Sequence, residues 1–179
     1  MINLITRPLN WVKRLSSHCA YRAWLTDRGS LTRRIQERCN QFSVRHVHLA
    51  SARANRDEAI ELALKPGSLA IQREVFLYCG DIPVVFAHSI LPLASLRGPW
   101  QTLVRLGAKP LGAALFSNPL VTRTALRFKK LNRHHALYRL ASGPFANPPY
   151  CLWARRSVFS LHNKSILVTE VFLPDILHL

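Results

Sequence analysis

The sequence predicts an α+β fold: a single antiparallel β-sheet of about six strands, with helices packed on one side. Three observations carry this expectation. The chain ends in a long hairpin, with extended residues 152–161, a turn at His162-Asn163-Lys164 and a β-branched run from Ser165 to Leu173 closed by Pro174. A second hairpin joins Leu69–Cys79 to Pro83–Leu91 across Gly80-Asp81-Ile82 and is closed by Pro92. Helical spacing of apolar residues is confined to the start and the middle of the chain, the arrangement of a sheet with separate helices.

Taken in order, residues 8–25 place Leu9, Val12, Leu15, Cys19, Trp24 and Leu25 at a spacing of three to four, which predicts a helix. Gly29-Ser30 interrupts it, and Ser30 is suited to cap a second helix from Leu31 to Cys39. From Phe42 the period becomes two, predicting a strand with His46 and His48 on one face. Residues 51–68 are polar and turn-like, with a short helix around Asp57–Leu64. In the first arm of the 69–91 hairpin, Arg73 falls among Leu69, Ile71, Val75 and Leu77 on one face. Trp100–Leu106 reads as helical, Gly107–Gly112 as a loop, Ala113–Phe116 as a short helix and Val121–Phe128 as a strand. Lys129–Tyr150 is basic and then Pro-rich, and reads as a surface loop or insertion. Residues 1–179 are expected to form one domain, because 179 residues with 49% hydrophobic content suit one core.

Charge is unevenly placed. The formal net charge is +16, which points to an anionic partner: nucleic acid, a membrane surface or an acidic metabolite. Aromatic residues are sparse in the basic stretches and no nucleic-acid module pattern occurs, so nucleic acid is not expected. Between Asp81 and Glu170 there is no carboxylate, while twelve Lys or Arg residues occur. Glu170 is therefore a lone anion in a cationic half-chain, on the same strand face as Ile166, Val168 and Phe172. A carboxylate there needs a partner, and so does Arg73 on its own apolar face. Either the two satisfy structural ion pairs, or they project into an interior pocket and meet a ligand, Arg73 as a two-pronged donor and Glu170 as acid or hydrogen-bond partner.

Other signals are weaker. His46 and His48 lack a third ligand at metal spacing, so no metal is expected. Cys19, Cys39, Cys79 and Cys151 contain no CxxC pair, and reduced thiols are expected. No apolar run approaches the length of a membrane helix, and Met1–Pro8 lacks the features of a secretory leader. A cytoplasmic protein is expected. Arg155 and Arg156 must point to opposite faces of their strand, so at most one can look into a pocket.

Four stretches in register carry a resemblance. Arg73-Glu74 in a hairpin ending at Pro92, Lys109-Pro-Leu-Gly112 followed by Leu115-Phe116, Trp153-Ala-Arg-Arg-Ser157, and Thr169-Glu-Val-Phe-Leu-Pro174 together resemble the chorismate pyruvate-lyase family. This family makes 4-hydroxybenzoate and pyruvate from chorismate for ubiquinone synthesis. The resemblance runs from about Trp24 to Pro174. It implies a sheet with a sealed ligand cavity, no cofactor and no metal. Arg73 would hold the ring carboxylate together with the backbone N–H groups of Leu31 and Leu111. Glu170 would sit at the other end, near the ring hydroxyl and the ether, assisting proton movement or orienting the hydroxyl. At His88 the family commonly has an arginine, and a histidine there would contact the second carboxylate when protonated. A small aromatic-acid sensor of the same fold is the alternative function, and about 40 residues before the first strand are too few for a winged helix. A monomer is expected, and the basic surface suits peripheral association with anionic membrane.

Overall fold

The computed structural model describes residues 11–96 and 98–179. The start of the helix expected over 8–25, and the segment Met1–Pro8, lie outside the described residues. The strands are β1 (Phe42–Arg53), β2 (Leu69–Cys79), β3 (Ile82–Pro92), β4 (Thr122–Arg123), β5 (Arg127–Asn132), β6 (Cys151–Leu161) and β7 (Lys164–Phe172). The helices are α1 (Arg22–Thr26), α2 (Leu31–Gln36), α3 (Arg56–Glu61), α4 (Leu93–Leu96), α5 (Leu111–Phe116) and α6 (Ala136–Ala141), with 3-10 turns at Gln101–Arg105 and Pro174–His178.

One antiparallel sheet of seven strands runs in the order β1-β2-β3-β7-β6-β4, with β5 also paired to β6. Both hairpins form where the sequence places them. Asn163 and His162 take positive φ at the β6–β7 turn, the backbone that a two-residue hairpin connection with the right twist requires. The count of seven rather than six arises because Val121–Phe128 is not one strand. Only Thr122 and Arg123 pair with β6 at Ser160 and Phe159. Thr124 Oγ1 then accepts the Val158 N–H, a side chain interrupts the ladder, and pairing resumes as β5 from Arg127.

Four further expectations change. The helix over 8–25 reduces to Arg22–Thr26, and Val12 instead bridges to Phe128 as extended chain. The 129–150 segment is not a surface loop: Leu131 on β5 and Leu137, Tyr138 and Ala141 on α6 are buried against Phe86, Leu152, Ala154 and Val171. A run of basic residues obscured this apolar stripe. The helices also divide between the two sheet faces. Trp24, Leu31 and Ile35 of α1 and α2 pack on Val75, Leu77, Val85 and Phe172, and Leu111 and Leu115 of α5 pack with Leu91, Phe159 and Val168. On the other face α6 covers the Phe86 side, and Ala59 of α3 packs on Ile90, Val158 and Leu167. Lastly, the cysteines are not all reduced. Antiparallel pairing sets Phe42 opposite Cys79, which brings Cys39 across a separation of 40 residues to a Cα distance of 5.7 Å, and the two are disulfide-bonded. Cys19 and Cys151 are free.

Among the described residues, no helix is long and apolar enough to cross a membrane.

Candidate active site

A cavity lies between the sheet and the layer of α2 and α5, and the two-residue period of the strands decides what reaches it. β2 contributes Arg73, Val75 and Leu77, β3 Ala87 and Ser89, β6 Phe159, and β7 Val168 and Glu170. Leu31 and Thr32 of α2, Leu111, Gly112, Leu115 and Phe116 of α5, and Arg123 of β4 complete the lining. The space between atoms amounts to about 520 Å3, counted out through the mouth into open solvent.

At one end is Arg73, 3% exposed. Its Nη2 donates to the carbonyls of Gly107 (3.0 Å) and Lys109 (2.9 Å), the loop that leads into α5. Burial pulls its pKa down, yet a guanidinium remains charged at any working pH. The starts of α2 and α5 meet beside it. Ser30 caps α2 by accepting the Arg33 N–H, while α5 begins after Pro110 with no side-chain cap. The first N–H groups of a helix have no intrahelical acceptor, and Leu31 and Leu111, the first residues of α2 and α5, both line this cavity. Gly112 makes the approach possible: a Cβ there would lie 3.2 Å from Thr32 Oγ1 and 3.3 Å from Ser30 Oγ.

Glu170 stands towards the other end, level with Ala87 where Arg73 is level with Ser89. It does not pair with Arg73. Its Oε2 accepts from Arg155 Nε, directly across the β6–β7 ladder. Arg155 is fully buried and also donates to the carbonyls of Trp24 (3.0 Å) and Asp27 (2.6 Å). One side chain thus fixes both Glu170 and the end of α1. Arg155 is the residue that sequence reasoning underused: the Arg-Arg dipeptide showed that only one could face inwards, and Arg155, which pairs directly with Glu170, is the one that does.

Arg123 is half-buried, its Cζ 5.0 Å from the Phe159 ring centre and 5.5 Å from that of Phe116. Nε donates to Ser157 Oγ at 2.7 Å and Nη1 to the Arg28 carbonyl at 3.0 Å. Burial lowers its pKa, and the nearby charge of Glu170 opposes that. Within a run read only as a strand, nothing in the sequence marked it as a cavity residue.

His88 lies elsewhere. Its neighbours Ala87 and Ser89 line the cavity, so alternation turns His88 through the sheet to the opposite face. There its Nδ1 lies 3.1 Å from Glu74 Oε1 and its Nε2 3.1 Å from Glu58 Oε1, the latter a charge contact off the line of a good hydrogen bond. Burial disfavours its charged form, but the two carboxylates outweigh burial and raise its pKa from 6.5 to about 9. On the same face Arg156 meets Asp57 and Glu61, both at 2.8 Å, and Trp11 Nε1 donates to Asp57. Arg73, Leu31, Leu111 and Glu170 therefore share one cavity, and His88 does not. The β1 bulge between Arg45 and His48 separates His46 from His48, and among the described residues no group of three His, Cys, Asp or Glu side chains is placed to share a metal.

The site thus offers a buried guanidinium with helix-start amides at one end and an ion-paired carboxylate at the other, between apolar walls. That arrangement selects a small planar carboxylic acid with a polar group opposite.

The sequence model of a family described as chorismate lyase matches residues 11–178. A protein of Nitrosospira multiformis named probable chorismate pyruvate-lyase is 54% identical over 159 residues, 88% of each chain. One of the same name from Methylobacillus flagellatus is 48% identical, covering 94% of this chain and 95% of its own. Among solved structures, a GntR-family transcriptional regulator from Bacillus cereus superposes with a TM-score of 0.55 at 15% identity, over 75% of this chain and 93% of its own. PhnF from Mycobacterium smegmatis gives 0.58 at 15% identity, over 83% of this chain and 65% of its own. At such identities the likeness is one of fold alone.

Proposed function

The chain belongs to the chorismate lyase family, and from that premise we propose that its cavity converts chorismate to 4-hydroxybenzoate and pyruvate. The observation that carries the reading is Arg73: a buried cation on the cavity wall whose nitrogens, among the described residues, meet only the carbonyls of Gly107 and Lys109 in the loop before α5. A buried charge without a counter-ion is costly, and a bound carboxylate compensates it.

In this reading the ring carboxylate docks on Arg73 and on the N–H groups of Leu31 and Leu111, where free amides favour an anion. Val75, Leu77, Leu115, Phe159 and Val168 enclose the ring. The ring C–O bond to the enolpyruvyl group breaks with its electron pair on the departing oxygen. The ring carbon bearing the hydroxyl loses a proton, and the released enolpyruvate gains one at its methylene carbon to become pyruvate. Aromatisation drives the step, so the protein mainly binds, orients and excludes water. Glu170 has Oε2 engaged by Arg155; Oε1 remains to accept from the ring hydroxyl or carry the proton. The net charge of +16 supports both attraction of a dianion and contact with anionic lipid. For a cytoplasmic setting, the Cys39–Cys79 bond is the feature that counts against a strongly reducing compartment.

Incubating the purified protein with chorismate should yield 4-hydroxybenzoate and pyruvate in equal amounts. A folded protein that gives neither, but is thermally stabilised by 4-hydroxybenzoate, would be a sensor-type binder instead.

A further inference from the structure

The cavity carries a second arginine that the reading above leaves without a role. The strongly buried arginines of the sheet that sit outside the lining are satisfied by acids: Arg155 by Glu170, and Arg156 by Asp57 and Glu61. The two that line the cavity are not. Arg73 gives its Nη2 to carbonyls, and Arg123 gives Nε and Nη1 to a hydroxyl and a carbonyl. Among the described residues, Nη2 of Arg123 has no hydrogen-bond partner. Four strand steps separate their parent strands, from β2 across β3, β7 and β6 to β4, roughly 19 Å along a flat sheet. The two guanidinium groups therefore enter one cavity from opposite walls. A monoanion neutralises one of them; a dianion with a carboxylate at each end neutralises both.

A second, adjoining cleft adds direction. It is lined by Lys13, Arg28, Phe128 and the Thr124–Leu126 stretch, and it shares Phe116 and Arg123 with the cavity. Arg123 thus stands in the partition between the interior and a basic outer cleft. Its packing on Phe116 and Phe159 and its bond to Ser157 hold the guanidinium in place; among the described residues the charge of Glu170 acts on it from nearby without a direct ion pair.

We propose that Arg123 receives the second carboxylate of the dianionic substrate, that of the enolpyruvyl group, and hands it to the cleft of Lys13 and Arg28 as pyruvate leaves. The inference rests on the chorismate reading of the cavity. Arg123 undergoes no covalent change; it faces the negative charge that develops on the departing group as the C–O bond breaks.

The test compares a dianion with a monoanion on the same protein. Steady-state turnover of chorismate and calorimetric binding of 4-hydroxybenzoate are measured for the wild type, Arg123→Gln and Arg123→Lys, with melting temperatures as a check on folding. In Arg123→Gln, kcat/KM for chorismate should fall by about 30-fold or more, while affinity for 4-hydroxybenzoate, which lacks the second carboxylate, stays within about threefold. Arg123→Lys should recover much of the loss. Equal weakening of both ligands would assign Arg123 a structural role and overturn the proposal, as would unchanged chorismate kinetics. A folded wild type without turnover would remove the lyase reading itself, and this proposal with it; a failure confined to the variants removes Arg123 alone.

Discussion

The two faces of the sheet treat buried cations in opposite ways. On the face covered by α3 and α6, His88 sits between Glu58 and Glu74, and Arg156 between Asp57 and Glu61; the protein supplies every counter-ion. On the cavity face, Arg73 and Arg123 meet carbonyls and a hydroxyl, and only Arg155 has a carboxylate. Both arrangements bury charge, so burial alone does not distinguish a structural residue from a site residue. The supply of counter-ions does. A helix such as α3, with Asp57, Glu58 and Glu61 turned to the sheet, is docked by charge; the layer over the cavity is docked by apolar contact and leaves its cations for a ligand.

The sharpest way to break this contrast is to remove one arginine from each face. Arg73→Ala should cost about two to three orders of magnitude in kcat/KM for chorismate, because a buried charge-assisted contact to the substrate is lost. Its melting temperature should hold or rise, since an uncompensated cation is removed. Arg156→Ala should do the reverse. It strands Asp57 and Glu61, and should destabilise the fold by roughly 3–5 kcal/mol in denaturant titration, with kcat little changed in the fraction that remains folded. Arg73→Ala that unfolds the protein, or Arg156→Ala that leaves stability intact, would contradict the division.

A smaller effect concerns pH. His88 is raised from 6.5 to about 9 in the folded protein. A raised folded pKa contributes stability that is fully present below about pH 6.5 and is lost as pH climbs through about 9, on the order of 3 kcal/mol. Unfolding free energies measured between pH 6 and 10 should show this decline in the wild type, and His88→Gln should lack it. The same decline in His88→Gln would assign it to other groups.

What the sequence made legible follows the range of each signal. The hairpins, the Ser30 cap and the opposed directions of Arg155 and Arg156 are set by period and by nearest neighbours, and they stand as read. The face that Arg73 and Glu170 share with the cavity is also a matter of period two. The misreadings, His88 apart, concern longer range. His88 was matched by position to a cavity residue, although its own strand parity, one step from Ala87 and Ser89, turns it away. Leu131, Leu137 and Ala141 were hidden among basic residues because an apolar stripe on a short strand and a short helix spans few positions. Cys39 and Cys79 became neighbours only through the β1–β2 pairing, which no Cys spacing reveals. Arg123 became a cavity residue only when β4 joined β6.

Gly112 has a consequence for how this site can drift in sequence. With Thr32 Oγ1 and Ser30 Oγ at 3.2 and 3.3 Å from where a Cβ would stand, even the smallest substitution, alanine, requires these two hydroxyls to give by a few tenths of an ångström. That crowding falls where α2 and α5 meet beside Arg73, and so at the carboxylate end of the cavity rather than on the fit of the ring. Diversification towards other aromatic acids therefore has room along the apolar walls, while the end that defines the ligand as an acid is held by a position with no side chain to vary.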